Sequence, residues 1–400
     1  MRFKQLQNER GVALVMAVFA LVVMGAVVAG SFFVSRLEQV SGYNTVWATE
    51  AGEAAEGGIA WAMVNLGPAD YGAIGVYTPA TPNEVEYTGT VTNMPGRVWT
   101  DSIRRLNNEL FLVRSFGQRL GPGNRVMASQ TVAQLVRLAR PTIGVNAAIT
   151  VQDPIKFNGH ALDVNGYNDL PTGWGGADCP NDMPSAGNED DVVGIRSSTG
   201  TGATTPDLNH IDGFPTKVVA NDPTITSATF QNFLDYTYNT LSAQPNVKVL
   251  DLDTPYNDIA PVLDGAGDCD KAQPFNFGEP WRGVGSVPAC ADYYPIVHGT
   301  GATTYFAAGN RGQGILLVDG DLELVGDFEW AGLIIVRGQM KITGNGNKLT
   351  GAILTEGVAI DEAGTIGGNA DITFSRCAIN NAMNGAAQPA PVSRGWSQMF

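Results

Sequence analysis

The strongest constraint on this 400-residue chain lies near its start: Val12 to Val34 is a run of 23 residues without one charge. As a helix it would be about 35 Å long, against a bilayer hydrocarbon core of about 30 Å. Arg2, Lys4 and Arg10 precede it, opposed by Glu9 alone. A basic flank stays cytoplasmic, which places everything after Ser35 outside. A cleaved secretory signal is the competing reading. Its apolar region is shorter, about 7–15 residues, and ends at small residues such as Val28-Ala29-Gly30.

The helical pattern continues past Ser35. Trp47, Ala51, Ala54, Ala55, Ile59 and Met63 recur at spacings of three to four, one apolar face that ends at Gly67-Pro68. One helix is therefore expected over 12–66, apolar all round in its first half and amphipathic in its second. Gly25 and Gly30 are small enough to let another membrane helix approach closely.

Arg10-Gly11 before Val12-Ala-Leu-Val-Met-Ala, with the later cluster Thr49-Glu-Ala-Gly-Glu-Ala-Ala-Glu-Gly57, resembles the start of type IV pilins. It resembles the PilX-type N-terminal family of pilus assembly proteins most closely. The resemblance implies a class III-type leader over residues 1–11. It implies cleavage by a prepilin peptidase between Gly11 and Val12, and methylation of the new amino terminus on Val12. It further implies a single-pass inner-membrane protein whose partners are other pilin-like subunits, met through this helix. One position departs from the pattern. Major pilins carry Glu at the fifth mature position, and here that position is Met16. A carboxylate in lipid is retained only where a partner compensates it. Its absence fits a minor pilin or pseudopilin rather than a bulk subunit.

Four alternating runs follow: 85–92, 97–106, 109–118 and 125–138, separated by turn residues such as Pro95-Gly96 and Gly121-Pro122-Gly123-Asn124. They predict an antiparallel meander whose apolar face receives the second half of the helix. This is the pilin-like arrangement. Arg104, Arg105, Arg114, Arg119, Arg125, Arg137 and Arg140 make the region locally basic, most simply as solvated strand faces.

Farther on, glycines fall at 320, 326, 332, 338 and 344, an interval of six. Short apolar strands closed by glycine corners must stack to bury their side chains, which predicts a β-solenoid. An antiparallel meander with tight turns is the alternative. Residues 146–166 have the same texture. The expected fold class is α+β: helix 12–66 on a sheet over 67–142, then a solenoid-like domain from 143–166 and 310–380. An insertion is expected over 167–309, with a helix near 224–241 and a strand near 246–252. A loosely structured tail is expected over 381–400. The repeated GTGATT at 200–205 and 299–304 reads as loop text.

Charge is uneven. Between Gly166 and His298 stand 18 Asp and Glu against 5 Lys and Arg, most of the chain's net charge of −15. Such acidity argues against nucleic acid and against anionic lipid surfaces. Cys179, Cys269, Cys290 and Cys377 form no CxxC pair, so a zinc site is not indicated. An even count suits an oxidising compartment. Of three connectivities, Cys269–Cys290 closes one excursion and leaves Cys179–Cys377; free thiols are the alternative.

Catalytic signatures are missing. His160, His210 and His298 are scattered, and no nucleophile elbow or phosphate loop occurs. Asp319, Asp321 and Asp327 flank successive turns without an evident base. Asp264-Gly-Ala-Gly-Asp-Cys-Asp offers oxygens but lacks the final Glu of a calcium loop. We therefore expect no enzyme and no cofactor. The leading expectation is a structural subunit of a type IV pilus or related secretion machine. The alternatives are a membrane-anchored surface adhesin and, third, a secreted solenoid enzyme acting on polysaccharide.

Overall fold

The structure is a computed structural model. It describes residues 9–81, 83–107, 109–152, 162–180, 182–185, 189–200, 207–233, 236–251, 255–282, 288–357 and 370–399. The chain divides into two compact units. One comprises Met1–Leu66, Tyr71–Arg137 and Ala390–Phe400, the other Gly67–Asp70 and Leu138–Pro389.

In the first unit one helix, α1, runs unbroken over Glu9–Asn65. No proline interrupts it, and its last buried turns are alanine-rich: Ala51, Ala54, Ala55 and Ala62 are fully buried. These small side chains let the helix lie close on an antiparallel sheet. That sheet is β1 (Glu84–Thr90), β2 (Arg97–Arg105), β3 (Leu110–Leu120) and β4 (Val126–Ala139), paired in sequence order. Contact is close enough that a Cβ on Gly117 would stand 2.1 Å from the carbonyl oxygen of Ala51. At the rim Glu50 is held by Arg97 at 3.1 Å and Arg119 at 2.5 Å. Burial would raise the Glu50 carboxyl, but the two guanidinium hydrogen bonds outweigh it and hold it below its ordinary value.

Under the helix the sheet carries one group that works against the fold. Asp101 is fully buried, opposite Ser115 across the β2–β3 register and beneath Gly58. Neither carboxylate oxygen meets a partner in good geometry, although the Ser115 hydroxyl is near enough to offset part of the effect. Burial pushes the carboxyl up to about 6. The folded state therefore holds a proton that the unfolded chain releases near pH 4. This contribution is complete below pH 4 and is lost as pH rises to 6. Asp101→Asn keeps the shape of the protonated acid. It is expected to gain on the order of 2 kcal/mol at pH 8 and almost nothing at pH 4. Urea unfolding at the two pH values checks this.

The expected loose tail is in fact structured. Arg376–Gly385 is a helix with Ser375 as its N-cap, and Gln388–Met399 is a strand that joins the first sheet beside β4. The Gln134 amide donates to the Val392 carbonyl at 3.3 Å. An edge strand has its pairing partner far away in sequence, so its local text alone looks unstructured.

The second unit is a parallel β-solenoid with three strand-bearing faces. Register partners such as Arg311 and Glu329, or Leu322 and Met340, are 18 residues apart, so one coil is three six-residue units. The first face stacks Lys248–Leu250, Ile296–Gly299, then the halves of longer strands at 315–318, 333–336 and 353–355. Upon these sit Ala147–Val151, Val193–Ser197 and Val218–Val219. A column of Val297, Leu316, Ile334, Ile353, Ile149 and Ile195 crosses these rungs in register, all buried. Each such side chain contributes about 1.5–3 kcal/mol by leaving water.

The spatial order is thus permuted. Coils from 248 to 374 come first, and the earlier segment 147–219 continues the stack beyond them. Residues 167–309 are accordingly no separate insertion, since rungs come from within that range: Val193–Ser197, Val218–Val219, Lys248–Leu250 and Ile296–Gly299 on the first face, Thr303–Phe306 beside Asp321–Val325 on the second, and Ile211–Asp212 beside Leu162–Asn165 on the third. Residues 220–247 run back from the last rung to the first. The expected helix near 224–241 is absent there. The described residues form a 3-10 turn at Ser227–Phe230, a hairpin of Asn232–Phe233 with Tyr236–Thr237, and a one-turn helix at Tyr238–Ser242. Phe230, Phe233, Tyr238 and Leu241 are buried as expected of an apolar face. They are buried by the solenoid, and Thr237 starts a separate one-turn helix, its hydroxyl accepting from the Thr240 N–H. The strand near 246–252 is present as Lys248–Leu250.

Candidate functional site: the N-terminal helix

Among the described residues, the first half of α1 has no protein partner within the chain. From Val12 to Val34 every residue is exposed, including Val12, Met16, Phe19, Phe32 and Phe33. An unpaired apolar surface this long is not stable in water. The helix is long and apolar enough to cross a membrane, with a mean hydropathy of 2.9 over its best stretch. Gly11 lies in the helix just before Val12. Among the described residues nothing beyond the helix itself lies within 4 Å of a Cβ placed at Gly25 or Gly30, so both positions have room beside them. Past the apolar run, Leu37, Val40, Tyr43 and Val46 extend an exposed stripe, and the Tyr43 and Trp47 rings stack at 5.8 Å. Tyr and Trp favour the membrane–water boundary, where an apolar body and a polar edge are both satisfied.

The cysteines are paired: Cys179 with Cys377, Cα atoms 5.5 Å apart, and Cys269 with Cys290, 4.9 Å apart. Both bridges lie in the second unit. Cys377 sits in the first turn of the helix Arg376–Gly385, so its bridge ties the segment around Asp178 to that helix. Arg376 adds ion pairs to Asp182, at 3.1 Å, and to Asp190.

The candidate catalytic residues do not converge. His160 lies outside the described residues. His210 meets Asp163 at 3.0 Å and His298 meets Asp319 at 3.1 Å, on different faces of the solenoid. Asp321 accepts the Gln339 backbone N–H at 2.8 Å, and Asp327 stands at a corner with φ of 49°. Among the described residues no group of three or more His, Cys, Asp or Glu is placed to hold a metal ion. In the acidic loop, Asp264 spends its carboxylate on the N–H groups of Ala266 and Asp268.

One polar cluster escaped sequence reasoning. Tyr238 is buried against His298, ring centroids 6.1 Å apart, with the Arg337 guanidinium 5.2 Å from its ring centre. Burial, and then the nearby Asp319 carboxylate, push the Tyr238 phenol well above its usual value. Tyr238 and His298 stand 60 residues apart in sequence, and no motif links them. The cluster pins the returning segment 220–247 to the coils. Comparison with protein-family models, curated proteins and solved structures finds no match.

Proposed function

We propose that this chain is a pilin-like structural subunit, of the minor or pseudopilin kind, serving a type IV pilus or a related secretion machine. The observation that supports the reading most is the division of labour along α1. One half of a single helix is bare and apolar, and the other half is docked on an antiparallel sheet. A static anchor needs only the first half. A subunit that is stored in the bilayer and then drawn into an assembly needs a rigid rod that carries its head with it.

In this reading Arg2, Lys4 and Arg10 hold the leader in the cytoplasm, and the head lies outside the inner membrane. Two disulfides suit an oxidising compartment. A prepilin peptidase cuts between Gly11 and Val12. Met16 leaves the subunit without the carboxylate that a major subunit would bury against its neighbour, so its place is at a tip, an initiation point or an assembly step. The mechanism is assembly, and no residue is assigned a catalytic role. The start of the mature chain tests the proposal. Sequencing from native membranes should begin at Val12, and a start at Met1 or near Ser31 would contradict it.

A further inference from the structure

We propose that the third face of the solenoid binds a neutral, hydroxyl-rich chain, a glycan, that stacks on Trp281. This inference concerns the second unit alone and does not rest on the pilin reading.

Trp281 is about half exposed, unusual for the largest apolar side chain. It is nevertheless held in one orientation. The Arg311 guanidinium stacks on one face of the indole, 4.2 Å from a ring centre. The indole N–H donates to the Glu329 carboxylate, and the Trp281 backbone N–H donates to Glu279 at 3.1 Å. Glu279 in turn pairs with Arg311 at 3.1 Å. With one face under Arg311, about half of the side chain is still exposed among the described residues. An aromatic plane fixed in advance loses little entropy on binding, which is what a recognition platform requires.

The neighbourhood selects the ligand. The outward residues of the third face stack in register as Arg311, Glu329, Lys348 and Asp371. From Arg311 to Asp371 the charges alternate in sign; the next rung, Asp163, is again acidic and meets His210 at 3.0 Å. A polyanion or polycation would meet a like charge at every second rung. A neutral chain of hydroxyls meets an acceptor or a donor at every rung. Rungs repeat every ~4.8 Å, close to the length of one pyranose unit in a glycan chain. A pyranose ring presents an apolar C–H face to an indole and hydroxyls around its edge.

The test uses the full chain in a sugar-free zwitterionic detergent. Titration calorimetry is run with cellohexaose and chitohexaose as neutral probes and hexagalacturonate as the polyanion. At least one neutral probe is expected to bind, hexagalacturonate to bind more weakly or not at all, and Trp281→Ala to weaken binding about tenfold or more. Trp281→Phe, which keeps a stacking ring, should fall between the two. Far-UV circular dichroism of each variant checks that the coils are intact. Failure of both neutral probes at millimolar concentration, preference for hexagalacturonate, or unchanged binding by Trp281→Ala would overturn the proposal.

Discussion

Gly332→Val is expected to leave the solenoid unit unfolded. Gly332 has a φ of 137°, and its register neighbours Gly314 and Gly351 have φ values of 106° and 144°. The three glycines form one column at the corner between the third and first faces. A Cβ at 332 would stand 2.2 Å from the Gly314 carbonyl oxygen and 3.1 Å from the Ala382 Cβ. The first obstacle is backbone of the adjacent coil, so no rotamer change relieves it. Moving that backbone breaks the hydrogen-bond ladder on two faces at once. A branched side chain at this φ adds strain of its own. The cost should exceed about 4 kcal/mol, the range reserved for severe core and backbone defects. We expect loss of the cooperative urea transition of the second unit. Gly265→Ala is the control, since nothing lies within 4 Å of a Cβ there.

The second large effect belongs to the bridge between Cys179 and Cys377. Its ends are 198 residues apart, against 21 for Cys269 and Cys290. Closing a loop restricts the unfolded chain in proportion to the logarithm of its length. The expected loss is about 5 kcal/mol for Cys179→Ser with Cys377→Ser, and about 3 kcal/mol for Cys269→Ser with Cys290→Ser. The longer bridge also fixes the helix Arg376–Gly385, whose Ala382 lies against the glycine corner. Thermal melts of the two double variants under one condition should rank them in that order. Equal losses would show that the bridges act only on their local loops.

The parts of this molecule written in consecutive residues were legible. A charge-free run of 23 residues announces a long apolar helix, and alternation announces β1 to β4. Glycine at every sixth position announced stacked strands, because those coils follow one another without interruption. Elsewhere the same architecture was hidden. Ala147 pairs with Val193, 46 residues on, so the loop text between them erases the period. The spacing of Phe230, Phe233, Tyr238 and Leu241 suggested a helix, yet their burial comes from coils remote in sequence. The last strand was missed for the same reason. The charge row on the third face joins Arg311 to Asp371 across four strands, and nothing local marks it. The proposed cleavage point at Gly11 and Val12 rests on resemblance alone, while the bare helix beside it was readable from hydrophobicity.

If α1 is processed and stored as a pilin-type rod, as proposed above, the mature chain has a defined first residue. Intact mass and N-terminal sequence of the protein from membranes of its native host test it most directly. A chain that begins at Val12 and carries one added methyl group on its amino terminus is expected. A chain beginning at Met1 would make the helix a fixed anchor, and one beginning near Ser31 would make it a discarded signal; either would contradict the account.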